Sequence, residues 1–154
     1  RIKDGRPMCL LSIHSQQMAK DVCDALEIQP GKKSNIVQFP NIELTLLPYF
    51  IRGYFEGDGH LANPELKSAL TATIRSNSPK MLISLQDYFG AGTIYSNRIE
   101  WFAKDTFKVM NHIYSGELDG VILPRKYDRF IFWKNNYVFN SLKIKSAKIA
   151  QDPN

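Results

Sequence analysis

Apolar and polar residues alternate from Lys67 to Arg75. Leu70, Ala72 and Ile74 fall on one face and Lys67, Thr71, Thr73 and Arg75 on the other. A period of two over this length predicts a half-buried strand. Helical spacing appears on either side. Pro48 opens a compact helix running to about Gly57, and Ser78-Pro79 starts another that carries Leu82, Leu85 and Phe89 before Gly90-Ala91-Gly92 ends it. Proline is favoured in a first helical turn, where its missing N–H is not needed. A hairpin is expected from Gly92 to Tyr95 and Arg98 to Phe102 around Ser96-Asn97, and further helices over 104–115 and 123–138. Upstream, Met8 to His14 reads as a strand, and Ser15 as the cap of a helix bearing Met18, Val22, Ala25 and Leu26. Ser34 to Phe39 reads as another short strand. Strands and helices in this order predict an α+β fold.

The chain repeats itself once. Leu11 to Ser15 (LSIHS) is echoed by Ala72 to Ser76 (ATIRS), and Met18, Val22 and Leu26 return as Met81, Leu85 and Phe89 after a two-residue insertion. Two copies predict a pseudo-symmetric pair, since a solenoid needs at least three. The first copy starts at its strand. Three units result: a partial first repeat and connector over 1–47, a full repeat over 48–140, and a basic tail over 141–154.

Composition narrows the class. The 154 residues are 44% hydrophobic and 23% charged, which excludes intrinsic disorder. There is no long apolar run and no signal-peptide pattern, so an intracellular protein without a membrane partner is expected, in the cytoplasm or an organelle. Cys9 and Cys23 have no metal-ligand spacing and read as free thiols. The net charge of +5 is uneven: residues 104–148 hold nine basic and four acidic side chains, while residues 1–103 are nearly balanced. A basic C-terminal third suits a polyanion such as nucleic acid, and equally a solvated face.

The chemistry concentrates in FIRGYFEGDGHL, Phe50 to Leu61. Gly53 and Gly57 are four apart and share one helix face, which admits a close second backbone. Glu56 and Asp58 stand at the helix C-terminus, where the dipole disfavours acids. Carboxylate and carbonyl oxygens together suit a hard divalent cation such as Mg²⁺. The same residues also read as an ordinary amphipathic helix ending in an acidic glycine turn. Gly59 is expected to supply a permissive exit.

At Ile51 to Gly59 the sequence resembles the LAGLIDADG homing endonucleases: both face glycines, both acidic positions and the final glycine match the motif. PRKYDRF (Pro124 to Phe130) and the lead-in QFPNIEL (Gln38 to Leu44) resemble family segments as well. The resemblance implies an αββαββα repeat with an antiparallel DNA-binding sheet. It implies a site-specific double-stranded DNA endonuclease, or a truncated fragment of one, that hydrolyses phosphodiester bonds with Mg²⁺ or another divalent cation. Asp58 would be catalytic and a metal ligand, with the Gly57 carbonyl a further ligand. Glu56 would mainly structure the helix end. Lys126 or Arg125 would be the basic residue near the scissile phosphate. Gly53 and Gly57 would form the seam with a second such helix.

Strand parity then assigns Lys67, Thr71, Thr73, Arg75, Thr93, Tyr95, Arg98 and Glu100 to the DNA-facing side, joined by Arg125 and, from the first copy, Ser12 and His14. Leu70, Ala72, Ile74, Ile94, Ile99 and Trp101 are expected beneath. His60 reads as a solvated residue. One motif cannot cut two strands, so a second helix is required, from a missing N-terminal half, another copy or a partner. Truncation is favoured because the chain begins inside a repeat. The chain alone could therefore be inactive. The alternatives are a non-catalytic nucleic-acid binder or RNA-splicing maturase on the same scaffold, or a domain cut from an intein, for which no splice-junction residues are visible.

Overall fold

The computed structural model describes residues 2–3, 6–7, 12, 14–25, 27, 35–66, 69–116, 118 and 122–136. Two-residue strands β1 (Ile2–Lys3) and β2 (Arg6–Pro7) pair antiparallel. Helix α1 (Gln16–Ala25) follows. A single 3₁₀ turn, Leu44–Leu46, runs straight into α2 (Leu47–Asp58). Then come β3 (Gly59–Leu61), β4 (Thr71–Arg75), α3 (Pro79–Phe89), β5 (Thr93–Tyr95), β6 (Arg98–Phe102) and α4 (Ala103–Ile113). The last helix, α5, covers 124–136. The fold is α+β, and its main sheet has the antiparallel order β3-β4-β6-β5.

Register follows from the alternation read in the sequence. Gly59 pairs with Ile74 and His60 with Thr73. Ile74 pairs with Ile99, Thr73 with Glu100 and Arg75 with Arg98. Glu100 pairs in turn with Thr93, and Arg98 with Tyr95. A one-residue slip would turn every apolar side chain to solvent, so burial of one face fixes the register. That face is dry: Leu61, Leu70, Ala72, Ile74, Ile99 and Trp101 are buried, and Ile94 packs at the margin. Helices cover it with Ile51 and Phe55 from α2, Met81, Leu82, Leu85 and Phe89 from α3, and Val109, Met110 and Ile113 from α4. Phe130 of α5 closes the end, stacked on Tyr114 with ring centroids 5.2 Å apart.

Three helices share one device. Their C-terminal carbonyls are bound by a cation or guanidinium from a different element. Lys126 of α5 reaches the end of α2, donating to the Phe55 and Glu56 oxygens at 2.6 and 2.8 Å. Lys108 of α4 donates to the Phe89 carbonyl at the end of α3, at 3.0 Å. Arg52 of α2 donates to the Ile113 and Ser115 carbonyls at the end of α4, at 2.8 and 2.5 Å. Neither α2 nor α3 has a basic residue in its own last turn. The positive charge that suits the negative end of each dipole comes from its neighbours and locks the layer together.

Several expectations change. The strand expected over Ser34 to Phe39 is absent from its described part. Asn35-Ile36 is a turn, and Phe39 lies against Phe50 of α2 and Tyr88 of α3, at centroid distances of 6.1 and 5.6 Å. Held between helices, the segment has no strand edge to pair with. The alternating strand is shorter than expected, beginning at Thr71; Lys67 lies outside the described residues. Of Met8 to His14, only Ser12 and His14 are described, both exposed and outside any ladder. Helix α1 is capped as expected, the Ser15 hydroxyl accepting the Met18 N–H at 3.2 Å. Its apolar stripe is nevertheless open, with Met18 and Val22 49% and 46% exposed. The residues of the basic tail, 141–154, lie outside the described set. Among the described residues, no helix is long and apolar enough to cross a membrane.

Candidate functional site

The site is the C-terminal turn of α2 and the ground around it. Glu56 is turned inward and 8% exposed. One carboxylate oxygen accepts the Tyr114 hydroxyl at 2.7 Å and the other accepts the Leu123 N–H at 3.1 Å. The carboxylate thus joins the α4 exit to the start of α5, in agreement with a structural role. Burial, then the hydrogen bond and charge of Glu56, pushes the Tyr114 phenol well above its usual range, so it stays protonated as donor.

Asp58 is exposed, and no described residue hydrogen-bonds or ion-pairs with its carboxylate. It lines an open cleft of about 440 Å³ with Val37, Tyr54, Arg75, Ser76, Asn77 and Asn97. The cleft wall is braced. Tyr54 donates to the Ser76 hydroxyl at 3.0 Å, which accepts the Ser78 N–H at 3.2 Å, while the Ser76 N–H reaches the Asn97 carbonyl at 3.0 Å. Burial, followed by the nearby Asp58 charge, raises the Tyr54 phenol above its ordinary value, against the opposing Ser76 bond.

Lys126 is 2% exposed, its ammonium 4.9 Å from the Phe55 ring centroid and bonded to two carbonyls of the last turn. Desolvation lowers its pKa, opposed by the Glu56 charge. This geometry makes Lys126 a cap for the acidic turn. Arg125, one residue earlier, is exposed and faces a second cleft with Glu65, Asp128, Arg129 and Phe132. Gly53 and Gly57 are both exposed, and a Cβ built on either meets no atom within 4 Å, so their face of α2 is open. Gly59 has a different reason from the one expected. Its φ of −86° is available to any residue, but a Cβ there would overlap the Phe55 ring and carbonyl. Space, and not backbone freedom, requires glycine.

The outer face of the sheet carries His60, Thr71, Thr73, Arg75, Thr93, Tyr95, Arg98 and Glu100, each half-buried or exposed. Arg98 sits over the Tyr95 ring at 4.6 Å and 3.7 Å from the Glu100 carboxylate. His60 has its pKa lowered first by burial, then by the charges of Arg129, Lys126, Arg125 and Arg75. Four basic side chains thus lie near enough to His60 to disfavour its charged form.

A magnesium ion commonly takes one or two carboxylates, with carbonyl and water oxygens completing its shell. The free carboxylate of Asp58 beside the exposed turn at Gly57 fits such a donor set. Among the described residues no three His, Cys, Asp or Glu side chains cluster to form a complete metal cage. Comparison with protein-family models, with curated proteins and with solved structures finds no match.

The structure brings together Asp58, Gly57, Lys126 and Arg75, and places Thr73, Tyr95, Arg98 and Glu100 on one adjoining surface. It leaves Arg125 on a separate cleft. Sequence reasoning missed Arg52, Tyr54, Asn77, Asn97 and Tyr114. The hydrogen bonds of Arg52, Tyr54, Asn97 and Tyr114 join residues 21 to 63 apart, and Asn77 meets Asp58 only across the cleft, so no local pattern signals them.

Proposed function

We propose that the chain is the motif-bearing part of a divalent-metal-dependent, site-specific DNA endonuclease of the LAGLIDADG class, acting with a second helix of the same kind. The observation that carries the reading is the division of labour at the end of α2. Glu56 is consumed by Tyr114 and Leu123, Lys126 neutralises the helix carbonyls, and Asp58 alone is left open to solvent. An unpaired acid at the negative end of a helix is unfavourable without a cation. The open Gly53/Gly57 face supports the reading, since it leaves room for the backbone of the second helix.

In this reading the outer sheet face lies in the major groove. Thr73, Arg98 and Glu100 offer the mixture of donors and acceptors that base edges require. Asp58, with the Gly57 carbonyl, would hold the cation. A bound divalent cation supplies Lewis-acid polarisation of the phosphoryl oxygens and a water that ionises more readily. Lys126 acts at one remove by fixing the turn that presents Asp58. The second strand needs a second acid, so Asp58 provides half of a complete centre.

The test begins with selection of duplexes by the parent chain from a random pool. Asp58→Asn should leave binding of the selected duplex unchanged within about twofold and reduce Mg²⁺-dependent strand cleavage by about a hundredfold or more. Cleavage by the Asn variant at the parental rate would remove the metal assignment. Binding of the selected duplex with no cleavage of either strand under any divalent cation, both by the chain alone and by the chain paired with a second motif helix, would favour the non-catalytic binder. Failure to prefer any duplex over a scrambled one would overturn the DNA reading.

A further inference from the structure

The Asp58 cleft holds two opposite charges that do not meet. Asp58 and Arg75 both line it, yet no ion pair joins them. Among the described residues the one ion pair is Arg98 with Glu100, and there Arg98 is further occupied by the Tyr95 ring. Arg75 is the last residue of β4, exposed, and the cross-strand partner of Arg98. Their contacts differ: Arg75 lines the cleft with Asp58, whereas Arg98 lies on the Tyr95 ring beside Glu100.

The wall that carries Arg75 is rigid. Ser76 is buried and tied three ways: to Tyr54 of α2, to the Ser78 N–H, and through its own N–H to the carbonyl of Asn97 at the tip of the β5–β6 hairpin. These bonds hold the β4–α3 loop against the hairpin tip, so Arg75 at the end of β4, Asn77 of the loop and Asn97 of the hairpin line one cleft. A guanidinium offers a fork of donors matched to phosphate oxygens, and two carboxamides add neutral donors. An acid without a cation and a guanidinium without an anion then share a volume of about 440 Å³.

We propose that this cleft is a phosphate subsite for the nucleic-acid backbone, in which Arg75, with the side-chain amides of Asn77 and Asn97, binds the anion next to Asp58. The inference rests on the endonuclease reading and deepens it: Arg75 positions the backbone at the cleavage centre and does not read a base.

The test follows the Arg75 Nε–H and the Asn77 and Asn97 side-chain amides by NMR in metal-free buffer. The parent chain is titrated with a thymidine bisphosphate, and with thymidine as the uncharged control. Saturable shifts at the three side chains are expected with the bisphosphate and none with thymidine. Arg75→Ala should bind the bisphosphate about tenfold more weakly, and Lys104→Ala, at an exposed position of α4 outside the cleft, as the parent does. No response at Arg75, an equal response to thymidine, or an equal loss in Lys104→Ala would overturn the proposal. Because Arg75 is exposed, its Ala variant is expected to fold, and Arg75→Lys, which keeps charge but loses the fork, should bind with intermediate strength. A second arm uses the selected duplex and its scrambled form. Equal weakening on both by Arg75→Ala supports the subsite, whereas a loss confined to the selected duplex overturns it and leaves DNA binding standing. Bisphosphate binding at Arg75 with no duplex preferred would support the subsite and remove the endonuclease reading.

Discussion

Replacing Lys126 by Met removes a buried ammonium and keeps most of its volume. In the parent the Nζ donates to the carbonyls of Phe55 and Glu56 at 2.6 and 2.8 Å from a side chain that is 2% exposed. Hydrogen bonds to a charged group contribute about 1.5–3 kcal/mol each, so the gross loss is about 3–6 kcal/mol. Two things reduce it. The Phe55 carbonyl keeps the Gly59 N–H, so one acceptor and not two is orphaned. The ammonium's desolvation is also recovered, and that desolvation is the largest cause of its lowered pKa. A net loss of about 2–3 kcal/mol remains, or about 5–10 °C in Tm for a chain of this size. Urea unfolding followed by circular dichroism at neutral pH measures it. The pH dependence gives an independent check. The folded pKa lies below 10.5, so between the two values the unfolded chain binds more protons and stability rises with pH. Lys126→Met should lack that rise. A change under about 0.5 kcal/mol, or a pH slope like the parent's, would refute the cap assigned to Lys126.

Gly53→Ala should stabilise the isolated chain by about 0.5–1 kcal/mol, because the added Cβ meets nothing within 4 Å and alanine is the better helix former. Gly53→Leu should instead abolish association with a second motif helix, read by sedimentation velocity; destabilisation by the Ala change would show that the face is already covered. His112, which shares a 2.9 Å hydrogen bond with the Tyr88 hydroxyl, has its pKa lowered by burial below 6.5. As pH falls through 6.5 the unfolded chain takes the proton first, so folding stability declines. His112→Gln should remove that part of the acid slope in denaturant titrations, and an unchanged slope would assign it elsewhere.

Much of this protein is written locally. Alternation from Leu70 to Arg75 and from Arg98 to Phe102 set both inner strands and their buried faces, because a pleated strand turns successive side chains to opposite sides. Pro48 and Pro79 marked the first turns of α2 and α3, and Gly90 closed α3 in the left-handed conformation that glycine adopts at no steric cost. The segment from Gly53 to Asp58 announced an open glycine face and an acidic helix end, since those depend only on helical spacing. The tertiary structure decided which acid is free. Glu56 and Asp58 are two residues apart; the motif resemblance assigned them different roles, but helical spacing alone does not say that Tyr114 and Leu123 will claim one and leave the other. It turned Lys126 inward to the α2 carbonyls and Arg52 to those of α4, contacts that close only when distant helices pack on one sheet. It also denied a strand to Val37 to Phe39, where aromatic packing between helices replaced a ladder. The different contacts of the cross-strand partners Arg75 and Arg98 have the same cause: parity gives a side chain its face of the sheet, while its other neighbours come from whatever elements the fold brings to that end.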